Sequence, residues 1–277
     1  MKFVKSVDWL RGNLTNRNIR VIDCTFSLQN PSFGKEQYGK SHIPGAVYFD
    51  LEKDLSGVVK KHGGRHPLPN MKNFLRKVEE AGIDEKSIVV VYDSGDGAFA
   101  ARCWWLFTYI GHEKVYVLDG GFAKWMESGF PVTSEKMKMQ RSSYAPHFRE
   151  ELLADIEEVK QVVTGDTLGV LIDSRAEKRY LGQEEPIDRI PGHIPTAQNF
   201  VWTEGLEKGL YKNKQEQKHR FQHLKEETPL IVYCGSGVTA APNVLTLLEA
   251  DFQYVKLYVG SYSDWVSYEE LPVKTET

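Results

Sequence analysis

The chain has 277 residues, enough for one large domain or two ordinary ones with a substantial core. Hydrophobic residues make up 41% of it and charged residues 26%, which is typical of a water-soluble globular protein. The net charge of −3 excludes an overall basic field for nucleic acid, and the sequence contains no apolar run of signal-peptide or transmembrane length. We therefore expect neither a nucleic-acid partner nor a membrane.

The chain contains three cysteines, Cys24, Cys103 and Cys234. They are too few for a disulfide framework in a protein of this size, and their spacing is not that of metal ligands. Cys24 and Cys103 lie in apolar surroundings, which favours buried packing over a redox role. The simplest location for such a protein is the reducing cytoplasm.

The first half alternates short apolar strands with helical stretches. Helices are predicted at 71–81 and 100–110. The predicted strands are Val21-Ile22, Val47-Tyr48-Phe49, 88–92 and 115–118. This alternation predicts an α/β fold with a doubly wound parallel sheet flanked by helices.

Four landmarks of the first half recur in the second half in the same order. They are Val21-Ile22-Asp23 with Leu171-Ile172-Asp173, His42-Ile43-Pro44 with His193-Ile194-Pro195, Val89-Val90-Val91-Tyr92-Asp93 with Leu230-Ile231-Val232-Tyr233-Cys234, and Asp119-Gly120-Gly121 with Val259-Gly260-Ser261. In the fourth landmark Trp125 follows the first copy and Trp265 the second. The repetition predicts two copies of one domain, residues 1–139 and 151–277, joined by a polar linker at 140–150.

Cys234 stands where a strand turns into a helix. The β-branched run 230–233 predicts a buried strand, and leucines recur at helical spacing in 241–250. Ligands of parallel α/β sheets bind beyond the carboxyl ends of the strands, so this cysteine lies where a site is expected.

The loop around Cys234 is rich in glycine and leads into a helix. The first amides of a helix and of such a loop have no intrahelical acceptors, and they converge into a nest that stabilises a thiolate over a thiol. We expect Gly235 and Gly237 to let the chain curl tightly around the sulfur. A buried core cysteine is the alternative, and the Gly-Ser-Gly sequence favours the reactive thiolate.

The first copy carries Asp93 at the corresponding position and therefore lacks a nucleophile. We interpret it as a degenerate site whose carboxylate accepts the loop amides. The first copy also has additional chain before this loop, which includes Glu52, Arg65 and His66. This segment is either a wall of the other copy's active site or a surface excursion.

On these motifs the chain resembles the tandem-domain rhodanese-like sulfurtransferases over essentially its full length. The loop 234–240 is similar to that of the 3-mercaptopyruvate branch. The thiosulfate-preferring branch typically carries Arg and Lys where this sequence has Gly235 and Ser236. The resemblance implies that Cys234 attacks the outer sulfur of a small donor, becomes a persulfide, and passes the sulfur to a thiol, thioredoxin or cyanide. It implies no metal or organic cofactor.

The resemblance also implies roles for further residues. Arg179 and Arg189 match arginines that hold the donor's carboxylate, although either can also be an ordinary surface residue. His66 matches a histidine beside the cysteine, where with Ser236 it would relay a proton to the leaving enolate, and a purely structural role is the alternative. Glu52 is the nearest match to the aspartate that the family pairs with this histidine. The remaining loop residues are expected to contact the donor: Gly235, Gly237, Val238 and Thr239.

Three other functions compete with 3-mercaptopyruvate transfer as interpretations of this sequence. Thiosulfate:cyanide transfer differs only in the donor, and thiosulfate is a dianion for which the neutral loop offers only backbone dipoles. A cysteine phosphatase is disfavoured because it needs an arginine where this chain has Ala240. A non-catalytic binding module is the third possibility, and the intact loop around Cys234 argues against it.

Overall fold

The computed structural model describes residues 1–276, which form two compact units. The first unit comprises Met1–Gly57, Pro69–Arg149 and Lys208–Tyr211. The second comprises Val58–Leu68, Glu150–Glu207 and the residues from Lys212 onward. Across residues 1–276, none of the helices is both long enough and apolar enough to cross a membrane.

Strands and helices alternate along most of the chain. The strands are β1 (Val4–Lys5), β2 (Ile19–Asp23), β3 (Ala46–Tyr48), β4 (Ile88–Tyr92), β5 (Val115–Leu118), β6 (Leu153–Ala154), β7 (Val170–Asp173), β8 (Gln198–Asn199), β9 (Leu206–Glu207), β10 (Leu210–Tyr211), β11 (Leu230–Tyr233) and β12 (Val255–Tyr258). The α-helices are α1 (Val7–Asn13), α2 (Phe33–Lys40), α3 (Met71–Glu80), α4 (Ala98–Tyr109), α5 (Gly121–Glu127), α6 (Ile156–Thr164), α7 (Glu177–Leu181), α8 (Lys214–Arg220), α9 (Ala240–Glu249) and α10 (Ser261–Trp265).

The first unit is built on a five-stranded parallel sheet in the order β1-β5-β4-β2-β3. Its central strand β4 is a run of β-branched residues, nearly all buried, as a strand covered on both faces requires. Helix α3 begins where the Asn70 side chain accepts a hydrogen bond from the Asn73 amide, and it buries Phe74 and Val78.

The second unit repeats this arrangement. Its five-stranded sheet has the order β6-β12-β11-β7-β8, and all of its strand pairs are parallel. The central strand β11 is fully buried and pairs with β7 and β12. The same strand order in both units confirms the predicted parallel α/β fold and the duplication read from the landmarks.

The repeated histidines occupy equivalent positions in the two units. The Nδ1 atom of His42 lies 2.6 Å from the carbonyl oxygen of Tyr38, and the two rings stack with centroids 4.0 Å apart. His193 lies 2.7 Å from the carbonyl oxygen of Tyr180, and those rings stack at 3.8 Å. Both imidazoles are buried and bonded to backbone, so they act in packing rather than in chemistry.

Strand β1 was not expected, because two residues carry no periodic pattern. It forms the edge of the first sheet next to β5. Ser6 follows it immediately and caps α1, its hydroxyl accepting a hydrogen bond from the Trp9 amide at 3.2 Å.

Candidate active site

The backbone of Cys234 is fixed from two directions. Strand β11 ends at Tyr233, directly before the cysteine. The Cys234 amide donates to the Ser261 hydroxyl at 3.1 Å, and its carbonyl accepts from the Tyr262 amide at 3.0 Å. Ser261 adopts a left-handed φ of 56°, which is unusual for a residue with a side chain. The strained start of α10 therefore holds the cysteine at the end of its strand.

The cysteine sulfur faces the amides of the following loop. The Gly237 amide donates to Cys234 Sγ at 3.1 Å. Gly237 has a φ of 77°, and an added Cβ would collide with the Val259 carbonyl, so only glycine fits there. Within residues 1–276, no protein acceptor bonds the amides of Gly235, Ser236, Val238 and Thr239. The loop is thus a nest with donors still available to an anion.

Gly235 does not serve the tight curl of the loop, which is the role that the sequence predicted for it. Its φ is not in the left-handed region, so the tight curl of the loop depends on Gly237 alone. A Cβ at Gly235 would lie 2.9 Å from Arg65 Nη2 and 3.5 Å from both terminal nitrogens of Arg179. The missing side chain therefore lets two guanidinium groups reach the cysteine loop.

The structure brings His66 and Ser236 together. The Nδ1 atom of His66 lies 2.8 Å from the Ser236 hydroxyl, and both side chains are buried. Both residues belong to the second unit, because the segment Val58–Leu68 packs with it. The serine hydroxyl, two residues beyond Cys234, is thus directly coupled to a titratable ring.

Arg179 and Arg65 belong to a buried ion-pair cluster. Arg179 donates to Glu185 at 2.7 Å and to Asp188 at 2.8 Å, and Arg65 also pairs with Asp188. Burial lowers the pKa of the Arg65 guanidinium, while the negative charge of Cys234 acts to raise it. Arg65 thus lies at the same loop as Arg179.

The cluster extends away from the cysteine through Arg175. Its guanidinium pairs with Asp173 at 2.7 Å and with Glu185 at 3.2 Å, and its side chain is 1% exposed. Burial acts to lower the pKa of Arg175, but Asp173 outweighs it and raises the pKa well above the usual range. Glu185 therefore links a deeply buried arginine to Arg179 and fixes the orientation of the latter.

Arg189 and Glu52 have other partners among the described residues. Arg189 donates to the Val266 carbonyl at 3.0 Å, and its side chain is 58% exposed. Glu52 belongs to the first unit and is exposed, and its amide donates to the Asp50 carboxylate at 3.0 Å. The second guanidinium beside Gly235 is that of Arg65.

Sequence reasoning placed Arg65 in a segment that could line the site but gave it no role, and it missed Glu185, Asp188 and Ser261 as parts of the site. Arg65 directly precedes His66, and the two acids follow Arg179 closely, so the available signal was proximity to residues already singled out. Which acid pairs with which arginine depends on the packing of Val58–Leu68 against the second unit, and no local pattern encodes that.

The equivalent loop of the first unit is filled by its own aspartate. The Asp93 carboxylate accepts from the amides of Gly95 and Gly97 at 3.0 Å, and from those of Phe99 and Ala100 at 3.0 and 3.1 Å. Burial and the nearby Asp96 raise the pKa of Asp93 to about 6, against the effect of these amides.

The other two cysteines, Cys24 and Cys103, are completely buried in the first unit. Both are free thiols, as is Cys234. Among residues 1–276, no three His, Cys, Asp or Glu side chains converge to hold a metal ion.

Known proteins resemble the chain over nearly its whole length. The rhodanese-like domain family matches it twice, at residues 6–128 and 149–268. A probable 3-mercaptopyruvate sulfurtransferase of Pseudomonas aeruginosa is 40% identical over 272 residues, covering 96% of this chain and 95% of that protein. The thiosulfate sulfurtransferase of Rattus norvegicus is 33% identical, covering 94% and 90%.

A solved structure extends the likeness to three dimensions. The crystal structure of SseA from Escherichia coli, described in terms of the rhodanese fold and 3-mercaptopyruvate sulfotransferases, matches with a TM-score of 0.83 and 31% identity. The match covers 95% of this chain and 100% of that one. With a duplicated parallel α/β fold and a cysteine loop at the end of the central second-unit strand, the chain belongs to the rhodanese-like family, as a tandem of two such domains.

Proposed function

We propose that this protein transfers sulfur from 3-mercaptopyruvate, through a persulfide on Cys234, to a thiol, thioredoxin or cyanide, and releases pyruvate. The observation that carries the proposal is the amide nest around the sulfur. Gly237 donates to Sγ at 3.1 Å, and the amides of four loop residues have no protein acceptor within the described residues 1–276. A sulfur anion, in thiolate or persulfide form, is what such a nest stabilises.

In the first step the Cys234 thiolate attacks the sulfur of 3-mercaptopyruvate. A sulfur–sulfur bond forms and the carbon–sulfur bond of the donor breaks. The bonding electron pair leaves on carbon as the enolate of pyruvate, which then takes up a proton. The persulfide that remains on Cys234 is one sulfur longer than the thiolate, and the open loop amides are positioned to hold its terminal sulfur.

The proton is supplied through Ser236 and His66. Their hydrogen bond of 2.8 Å supports a relay in which the hydroxyl donates to the enolate and the ring replaces its proton. Neither partner needs a metal or an organic cofactor for this role.

Donor binding is assigned to the arginines and to the loop. Arg179 would hold the carboxylate of the donor. Its terminal nitrogens lie 3.5 Å from the point where a Cβ added to Gly235 would be, and so they are close to the loop. Arg189 would contact the same carboxylate from the solvent side. The backbone of the loop would bind the donor's sulfur and carbonyl oxygen through Gly235, Gly237, Val238 and Thr239.

In the second step an acceptor thiolate attacks the outer sulfur of the persulfide and regenerates Cys234. The catalytic domain of this proposal is 151–277, with 140–150 as linker and 1–139 as the inactive copy. The three thiols are free, which supports a location in the reducing cytoplasm, where thioredoxin is available as acceptor.

Thiosulfate is the second candidate donor, and one feature of the site favours it. The loop itself is neutral, but Arg65 and Arg179 bring two positive charges to Gly235, where a dianion would benefit from them. A relative at 33% identity is a thiosulfate sulfurtransferase. A non-catalytic binding module has no comparable support, because such a module has no use for an open nest at a thiol.

Steady-state kinetics with both donors, at matched concentrations and with thioredoxin as acceptor, tests the proposal. We expect kcat/KM to be higher with 3-mercaptopyruvate than with thiosulfate. A clear preference for thiosulfate contradicts the donor assignment, and no turnover of either donor contradicts the reaction class.

A further inference from the structure

The carboxylate of Asp188 lies between two arginines that face the cysteine loop. Its Oδ2 atom accepts from Arg179 Nη2 at 2.8 Å, and its Oδ1 atom pairs with Arg65 Nη1. The Asp188 side chain is 2% exposed, whereas Arg65 is 33% exposed and Arg179 is 17% exposed. The acid is therefore held inside, and Arg65 forms the more accessible side of the arrangement.

The same two guanidinium groups are the ones nearest to Gly235, directly after the nucleophile. A carboxylate between them is adjacent to Cys234, which is itself only 1% exposed. A small carboxylate donor must therefore reach a covered sulfur. It also needs the arginine atoms that Asp188 already occupies.

The charges of the cluster balance only with Asp188 in place. The side chains alternate in sign and number three of each: Arg65, Arg175 and Arg179 with Asp173, Glu185 and Asp188. Asp173 and Glu185 hold Arg175. Unlike Arg65 and Arg179, Arg175 is not among the groups nearest to Gly235 of the cysteine loop. Removing Asp188 from its position leaves one positive charge unmatched, which one monovalent carboxylate restores.

The segment that carries Asp188 has glycines in left-handed conformations at its two ends. Gly182 terminates α7 with a φ of 80°, and Gly192 has a φ of 117°. Between them the chain forms no helix or strand. Glu185 anchors this segment to Arg175 and Arg179. It also accepts a hydrogen bond from the Asp188 amide at 2.9 Å, so the exchange requires only the Asp188 side chain to move.

We propose that Asp188 occupies the seat of the donor's carboxylate in the free protein, and that Arg65 is the second arginine of that seat beside Arg179. The donor binds by exchanging its carboxylate for that of Asp188. This inference rests on the proposed function. It adds that an internal carboxylate competes with the donor and that the exchange conserves charge for a monoanion but not for a dianion such as thiosulfate.

The first test removes the competing charge with Asp188→Asn. We expect the KM for 3-mercaptopyruvate to fall by about tenfold, the scale of one charge-assisted hydrogen bond, with kcat within about twofold of wild type. The matched control is Glu184→Gln, which removes a negative charge from the same segment but from an exposed pair with Lys178. It should leave KM unchanged. A KM for Asp188→Asn that rises or stays constant overturns the exchange, because Asp188 would then only position the arginines.

The second test removes Arg65, whose partial exposure makes the variant compatible with folding. Arg65→Ala should raise the KM for 3-mercaptopyruvate by about tenfold. Lys178→Ala, which breaks an exposed ion pair on the neighbouring helix, should not. An unchanged KM in Arg65→Ala excludes Arg65 from the seat.

A binding measurement separates this inference from the proposed reaction. Calorimetric titration of pyruvate into Cys234→Ser and into Cys234→Ser/Asp188→Asn needs no turnover. Tighter binding to the double variant supports the exchange, and equal or weaker binding overturns it. Persulfide formation by the wild-type protein decides the proposed function independently of either result.

Discussion

The loops that follow the central strands of the two units have the same backbone hydrogen bond at their first residue. That residue is Asp93 in the first unit and Cys234 in the second. In the first unit, the Phe122 amide donates to the Asp93 carbonyl at 2.8 Å. In the second, the Tyr262 amide donates to the Cys234 carbonyl at 3.0 Å. The residue before each donor has a left-handed φ, 52° at Gly121 and 56° at Ser261. The duplication has preserved the geometry that holds the first loop residue at the end of its strand.

The occupants differ in how many amides they use. The Asp93 carboxylate takes four amides of its own loop, whereas the sulfur of Cys234 takes that of Gly237. The carboxylate completes its nest with two oxygens, and a single sulfur leaves donors open. The comparison teaches that the fold supplies an anion-binding loop in both units, and that only the loop whose amides are still open can accept an anion from a reaction.

The largest expected effect is that of replacing the cysteine of the second loop. Cys234→Ser should reduce sulfur transfer by about 10⁴-fold or more, since a hydroxyl cannot form the persulfide on which both steps depend. Sulfide or thiocyanate release under saturating donor measures it. Cys103→Ala, which removes a buried thiol of the other unit, is the control and should retain the activity of its folded fraction. Equal losses in the two variants contradict the assignment of the nucleophile.

Replacing Asp93 tests how much the filled nest of the first unit contributes to stability. Asp93→Ala leaves four loop amides without their acceptor and should lower the free energy of unfolding by about 3 kcal/mol or more. Chemical denaturation measures this. Asp96→Ala removes a carboxylate from the same loop, but that side chain is exposed and accepts only the Ala98 amide, so its cost should be about 1 kcal/mol or less. Similar costs would mean that the nest contributes little to stability.

The sequence predicted those features of the two loops that depend on residues close together in the chain. It did not predict contacts between residues far apart in the chain. The strand before Cys234, the helix after it and the exchange of Cys234 for Asp93 all follow from local patterns and from the repeat. The contact between His66 and Ser236 was reached through the family resemblance. The position of Arg65 beside Gly235 and its pairing with Asp188 were not predicted, because they arise when Val58–Leu68 packs with the second unit.

The His66–Ser236 pair has no counterpart at Asp93, and it should affect rate more than stability. His66→Ala and Ser236→Ala should each lower kcat by about 100-fold, and the double variant by little more, because the two side chains act as one relay. Stopped-time assays at saturating 3-mercaptopyruvate measure the effect.

The chain offers a matched control for this pair. His62 and Ser267 form a second histidine–serine hydrogen bond of 2.7 Å in the same unit. His62→Ala and Ser267→Ala should leave kcat within about twofold of wild type. Additive losses in the His66 and Ser236 double variant would contradict a shared relay.

The smallest expected effect is a pH dependence of stability at Asp93. Its pKa is raised on folding from 3.8 to about 6, so the folded state binds the proton more tightly than the unfolded state. The stabilising contribution of this proton is therefore full below pH 4 and is lost as the pH rises through 6. Relative to Asp93→Asn, the wild-type free energy of unfolding should fall by about 1 to 3 kcal/mol across that window. Parallel pH profiles for the two proteins would contradict the raised pKa.

The most direct measurement is the mass of the protein before and after incubation with 3-mercaptopyruvate, followed by mapping of the modified peptide. A thiol with open amides around it should gain one sulfur atom at Cys234, and Cys24 and Cys103, which are buried in the other unit, should gain none. Absence of the added sulfur, or its appearance on another cysteine while Cys234 stays unmodified, would contradict the account of the second nest as a sulfur-carrying site.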